Sequence, residues 1–102
     1  MPFQVTWLPE AVKDIARLRE FIQNKNPVAA KRAAARIKEA TRILFENPQA
    51  GKPVDALPNF RELYVAFGSG NYVLKYRIED NFVVIVRVKH SREDSSHIKT
   101  PS

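Results

Sequence analysis

Tyr72-Val73-Leu74-Lys75-Tyr76-Arg77-Ile78-Glu79-Asp80-Asn81-Phe82-Val83-Val84-Ile85-Val86-Arg87-Val88 is the stretch whose reading decides the fold. Two runs rich in β-branched and aromatic residues flank a polar Glu-Asp-Asn, the pattern of an antiparallel hairpin. Tyr72, Leu74, Tyr76 and Ile78 recur at period two and share one face. Phe82, Val84, Val86 and Val88 do the same on the second run. Turning both apolar rows to one core requires partner numbers with an even sum. A three-residue loop Glu79-Asp80-Asn81 supplies this and a two-residue loop does not. Asn81 suits the left-handed end of such a loop. This register predicts Ile78 opposite Phe82, Tyr76 opposite Val84 and Leu74 opposite Val86. It puts Val73, Lys75, Arg77, Val83, Ile85 and Arg87 on the other face.

Working upstream, Leu63, Val65 and Phe67 alternate with Glu62, Tyr64 and Ala66, which predicts a third strand. A turn at Gly68-Ser69-Gly70-Asn71 joins it to the hairpin. Pro48, Gly51, Pro53 and Pro58 mark residues 47–58 as a loop. Before it, Ala30, Ala33, Ala40 and Leu44 form with Ile37 the stripe of a helix to about Glu46, capped by Asn26 with Pro27 in its first turn. The thin alanine stripe allows another element close approach. Ala11, Ile15, Leu18 and Ile22 predict an earlier helix from Pro9 to near Asn24, with Lys13, Asp14, Arg17 and Glu20 on its outer side. The short link between the helices predicts an antiparallel pair. Phe3-Gln4-Val5-Thr6-Trp7 alternates and reads as an N-terminal strand whose place in the sheet the sequence leaves open. The expected fold class is α+β, in the order β-α-α-β-β-β. A helical hairpin packs on one face of an antiparallel sheet, in one domain over residues 1–102, with 95–102 a frayed tail.

Composition narrows the chemistry. At 102 residues the chain supports one core. Its 44% hydrophobic and 27% charged content excludes wholesale disorder. No apolar run reaches membrane-span length, and the N-terminus does not read as a secretory signal. With no cysteine and only His90 and His97 as imidazoles, disulfides, thiolate nucleophiles and histidine- or cysteine-rich metal sites are excluded. No cofactor is expected. The lack of cysteine fits a reducing compartment. A net charge of +6 suits an acidic protein, a nucleic acid or an anionic surface.

Each candidate residue has two readings. His90 can serve as a general acid or base, with Arg92, Arg87 and Lys75 around a phosphate, or it can be a strand-end histidine bonded to a neighbouring turn. Lys75, Arg77 and Arg87 can bind phosphates or an acidic segment, or form a solvated sheet face. Cations on adjacent strands repel one another without a partner, which argues for binding. Arg61 can touch a target or hydrogen-bond the preceding loop. Tyr64 can stack on a base or pack on an aliphatic neighbour. Lys31, Arg32, Arg36, Lys38 and Arg42 spread around the second helix and read as a solvated surface. Trp7 reads as core or edge cover.

Several segments, in this order, resemble the ParE/RelE superfamily of toxins from type II toxin–antitoxin pairs. They are Pro9-Glu10-Ala11 with Asp14-Ile15, then Asn47-Pro48-Gln49-Ala50-Gly51-Lys52-Pro53, then Phe60-Arg61-Glu62-Leu63. Tyr72-Val73-Leu74-Lys75-Tyr76-Arg77 and Val86-Arg87-Val88-Lys89-His90-Ser91-Arg92-Glu93-Asp94 complete the set. The resemblance covers residues 3 to about 94. It implies a cytoplasmic toxin, with a role such as plasmid stabilisation, neutralised by a cognate acidic antitoxin in a toxin–antitoxin hetero-oligomer. The ending His90-Ser91-Arg92-Glu93-Asp94 is similar to the His-x-Arg-x-Asp ending of ParE-like members, which inhibit DNA gyrase by protein binding. RelE-like members instead cut mRNA on the ribosome with a basic cluster. Where that cluster carries arginines this chain has Val73 and Ala66-Phe67, and Ile98 stands near its tail tyrosine, although Arg92 matches one basic position. The resemblance therefore favours the ParE side. Arg61, Tyr64, Lys75, Arg77, Arg87, His90 and Arg92 are then the expected target or antitoxin contacts. The RelE-like alternative makes His90, Arg92, Arg87 and Lys75 catalytic.

Overall fold

The protein, seen here as a computed structural model, is described over residues 3–24 and 26–93. The expected tail 95–102, with Asp94, His97 and Ile98, lies outside those residues. The element order is β1 (Gln4–Trp7), α1 (Pro9–Gln23), α2 (Pro27–Glu46), β2 (Lys52–Pro53), β3 (Phe60–Phe67), β4 (Gly70–Glu79) and β5 (Phe82–His90). One five-stranded sheet runs β1-β5-β4-β3-β2. The neighbours are antiparallel except β1, which lies parallel to β5 at the edge, so the sheet is mixed. The two-residue β2 belongs to the segment expected to be loop alone.

Both helix boundaries follow their local signals. Pro9 opens α1, and the Leu8 carbonyl accepts from the N–H groups of Ala11 and Val12. The Asn26 side chain accepts from Val28 and Ala29, both at 3.1 Å, satisfying two donors that the first turn of α2 leaves free. Ala30, Ala33, Ala40 and Leu44 are buried, as the stripe requires. They join Leu18, Leu63, Leu74, Tyr76, Val83 and Ile85 in one core between the helices and the sheet. Full burial of Leu44 or Leu74 removes enough apolar surface to contribute about 1.5–3 kcal/mol each.

The β4–β5 register differs from the sequence expectation. Glu79 pairs with Phe82 across a two-residue loop, Asp80-Asn81, and Asp80 takes φ 51°. Ile78 then faces Val83 and Tyr76 faces Ile85, not Phe82 and Val84. A register shift between Lys75 and Tyr76 leaves Val86 as an extra residue, and pairing resumes with Lys75 opposite Arg87 and Leu74 opposite Val88. The helix-facing row of β5 is therefore Val83, Ile85 and Val88, while Phe82 is 42% exposed. The physical reason is that Phe82 to Val86 is apolar in both rows, so alternation cannot choose a face. Packing against Val5 and Trp7 of β1, which pair with Val83 and Ile85, does choose.

Candidate functional site

The sheet face turned away from the helices carries Tyr64, Val73, Lys75, Arg77, Phe82 and Val84. Cross-strand pairing sets Tyr64 beside Val73, Glu62 beside Lys75 and Phe60 beside Arg77. Val73 and Val84 form its buried floor. Most of its cations already have neighbours. Lys75 Nζ lies 5.8 Å from the centre of the Phe60 ring, and Lys52 Nζ lies 5.4 Å from that of Tyr64. Arg77 donates to Glu79 at 2.7 Å. Tyr64 Oη donates to Glu62 at 3.2 Å, and the carboxylate charge there pushes its pKa up.

Arg87 does not share this face's free charge. Past Ile85 the last strand has no β1 neighbour, and α1 lies beside it instead. Asp14 on α1, only 3% exposed, accepts from Arg87 Nε at 2.8 Å and Nη2 at 3.1 Å, from the Val88 N–H at 2.8 Å and from Arg17 at 3.1 Å. Burial alone raises a carboxyl pKa. Here the hydrogen bonds from Arg87, Val88 and Arg17 outweigh it, and Asp14 is held below its ordinary value. The same pairing raises the Arg87 pKa. Arg17 also reaches Glu93, and the Glu93 carboxylate accepts the His90 N–H at 2.9 Å. The expected place of Asp14 on the outer side of α1 is therefore corrected. It occupies the stripe of Ala11 and Leu18, three residues after one and four before the other. That spacing is the sequence signal that could have found it.

His90 and Arg92 sit at the far end of the sheet. His90 Nδ1 accepts from the Arg92 N–H at 3.0 Å, and Nε2 lies 3.0 Å from the Phe67 carbonyl, to which it donates in the matching tautomer. The ring meets Tyr72 edge-on, with centroids 5.0 Å apart. Burial, followed by the Glu93 charge, pushes the Tyr72 phenol up to about 12. Arg92 Nη1 donates to Ser69 at 3.0 Å. A Cβ at Gly70 would lie 2.4 Å from Ser91 Oγ, so the β3–β4 turn and the end of β5 approach closely because residue 70 is glycine. Beside them Leu18, Phe21, Ile22, Phe67 and Tyr72 line an apolar cavity of about 340 Å³, with Arg92 and Glu93 at its rim.

Arg61 holds the preceding loop, donating to the carbonyls of Gly51 at 2.6 Å and Gln49 at 3.3 Å. Tyr76 works beside it: its hydroxyl donates to Pro48 at 2.6 Å and accepts from the Gly51 N–H at 2.9 Å. Sequence reasoning did not single out this staple. The structure thus divides the expected site residues among four places. Tyr64, Lys75 and Arg77 share the open sheet face, Arg87 is drawn to α1, His90 and Arg92 close the far end, and Arg61 lies against the loop. Among the described residues, no three or more His, Cys, Asp or Glu side chains are grouped to hold a metal ion. No helix among them is long and apolar enough to cross a membrane.

Comparison with known proteins agrees with this architecture. Residues 5–95 match the family described as ParE toxin of type II toxin-antitoxin system, parDE. Toxin RelE3 of Caulobacter vibrioides is 40% identical over 85 residues, spanning 83% of this chain and 90% of that relative. A structure of the chromosomal ParDE system of P. aeruginosa superposes with a TM-score of 0.70 at 21% identity, over 86% of this chain and 95% of that one, which is likeness of fold. The toxin–antitoxin complex RelBE2 of Mycobacterium tuberculosis superposes with a TM-score of 0.60 at 29% identity, over 88% of this chain and 99% of that one.

Proposed function

The chain belongs to the ParE toxin family of type II toxin–antitoxin systems, within the ParE/RelE superfamily, and from that membership we propose that it is a cytoplasmic binding toxin that inhibits DNA gyrase. A cognate acidic antitoxin neutralises it by covering basic surface that includes Lys75, Arg77 and Arg92. The observation that carries this reading is the engagement of both His90 ring nitrogens within the chain. A general base needs a free lone pair aimed at the proton it takes, and the Nδ1 lone pair already holds the Arg92 N–H. Arg87 is likewise committed to Asp14, Arg92 to Ser69, and Lys75 lies over the Phe60 ring, so the four catalytic candidates His90, Arg92, Arg87 and Lys75 do not converge on one phosphate. Their remaining chemistry is that of contact residues.

The test is a paired assay on the purified chain, following gyrase-dependent DNA cleavage in one arm and mRNA cutting on translating ribosomes in the other. Gyrase-trapped breaks with intact mRNA support the reading. Codon-phased cuts with normal gyrase refute it. A second reading, a RelE-like ribosome-dependent endoribonuclease, draws support from the name of the 40% identical relative. It requires His90 to release one of its two partners on binding, and it fails if His90→Ala with Arg92→Ala leaves the cutting unchanged.

A further inference from the structure

Glu93, the last described residue, stands at the mouth of a cavity. After β5 the chain turns back: the Glu93 N–H donates to the His90 carbonyl at 2.9 Å, and the Glu93 carboxylate accepts the His90 N–H at 2.9 Å. Arg17 of α1 holds the same carboxylate. Glu93 is thereby fixed beside α1, at the rim of the cavity of about 340 Å³ walled by Leu18, Phe21, Ile22, Phe67 and Tyr72. One polar group of that wall is unanswered. Among the described residues the Tyr72 hydroxyl has no hydrogen-bond partner, although the residue is only 1% exposed. No fully enclosed side-chain nitrogen or oxygen is left unpaired among those residues, so this hydroxyl keeps an opening. The Glu93 charge bears on the phenol, which sets the opening on the side of the cavity that Glu93 lines. A buried hydroxyl without a partner costs free energy until an acceptor reaches it.

We propose that the chain's own segment after Glu93 closes this cavity, with the Ile98 side chain inside it and a neighbouring main-chain carbonyl accepting from Tyr72 Oη. Position and length single out this occupant. Residues 94–102 read Asp-Ser-Ser-His-Ile-Lys-Thr-Pro-Ser, and Ile98 is their one large aliphatic side chain. Five residues beyond Glu93 reach about 17 Å when extended, and the cavity begins at Glu93 itself, so a path that loops back suffices. Tethering holds Ile98 there at a roughly millimolar effective concentration, ahead of a free ligand. Charge agrees with the choice. Arg17 neutralises Glu93, the walls ask for an apolar group, and the hydroxyl asks for an acceptor that does not add charge beside Glu93. An isoleucine in a peptide supplies both. The frayed tail expected over residues 95–102 is then anchored at one residue. On the function proposed above this anchoring has a consequence. Arg92 lines the same cavity, so a partner that takes Arg92 first displaces the segment and binds more weakly in proportion to the seated fraction.

Methyl NMR of the full chain tests this. The expected result is an Ile98 methyl signal displaced by the Phe67 and Tyr72 rings, which stack with centroids 5.2 Å apart, and nuclear Overhauser contacts to both. Tyr72→Phe keeps the ring and removes the donor, so the ratio of seated to open segment falls about threefold to tenfold. Hexanamide, an apolar chain with an uncharged carbonyl, competes for the same place. Its affinity for the Ile98→Asp chain is about tenfold or more above that for the unsubstituted chain. An Ile98 methyl at its unstructured shift without those contacts overturns the proposal. So do equal hexanamide affinities for the two chains, or contacts that mixing of labelled and unlabelled chains assigns to a second copy. None of these measurements involves gyrase, so their failure leaves the proposed function standing.

Discussion

Replacing Asp14 by alanine isolates what this buried carboxylate contributes. It accepts one backbone and three guanidinium hydrogen bonds at a site 3% exposed. Its two arginines are not equally confined, since their side chains are 59% exposed at Arg87 and 44% at Arg17. Both can return to water when the carboxylate is removed, so the ion pairs themselves are worth about 0–1 kcal/mol each. The Val88 N–H has no such freedom. Left unpaired at a buried position, it costs about 1–3 kcal/mol. The expected loss for Asp14→Ala is therefore about 2–4 kcal/mol, and Arg87→Ala, which leaves the buried carboxylate only Arg17 and the Val88 N–H, costs about 1–3 kcal/mol. Urea unfolding at constant m-value measures both. In thermal unfolding the first corresponds to roughly 10 °C or more for a domain of this size. Acid supplies a second check. The Asp14 pKa is lowered in the folded state, so the unfolded chain takes up the proton first. Its stabilisation is complete above the ordinary carboxyl pKa and is lost as pH falls through the depressed folded value. Stability of Asp14→Asn accordingly falls less steeply in that acid range than that of the unsubstituted chain. A loss below about 0.5 kcal/mol for Asp14→Ala refutes the reasoning.

Four further outcomes follow from the geometry. Tyr76→Phe removes the hydrogen bonds to Pro48 and Gly51 and costs about 1–2 kcal/mol, with faster amide exchange over residues 47–53 as the local readout. Gly51→Ala forces a Cβ to 2.7 Å from the Tyr76 hydroxyl and 2.8 Å from the Glu62 carbonyl, and is destabilising by about 1–3 kcal/mol in the same unfolding assay. Nitrogen-15 chemical shifts of neutral His90 report a protonated Nε2 and a bare Nδ1. The opposite tautomer breaks the assignment of both ring partners. In ultraviolet titration Tyr72 ionises only near pH 12, and Glu93→Gln lowers that value modestly because burial is the larger cause.

Much of the site was readable in residue chemistry and the rest was not, for identifiable reasons. The bonding of His90 to a neighbouring turn and of Arg61 to the preceding loop were among the alternatives that residue type and position allowed. Choosing between them needed the carbonyls of Phe67, Gln49 and Gly51, which sequence does not place. Of the three cations expected together on one face, Arg87 keeps its place opposite Lys75, but its guanidinium is held by Asp14, 73 residues away in the chain.

What the sequence determined by itself is local. Asn26 and Pro27 start α2, Pro9 starts α1, and Leu63, Val65 and Phe67 face inward because capping and period-two alternation act over a few residues. Tertiary structure alone decided the parallel seat of β1, the face of β5 and the burial of Asp14. Phe82 to Val86 offered two apolar rows of nearly equal merit, and the contacts of Val83 and Ile85 with β1 broke the tie. The extra residue at Val86 then restored Val88 to the core and left its N–H at an edge without a strand, where only a buried acceptor on another element could satisfy it.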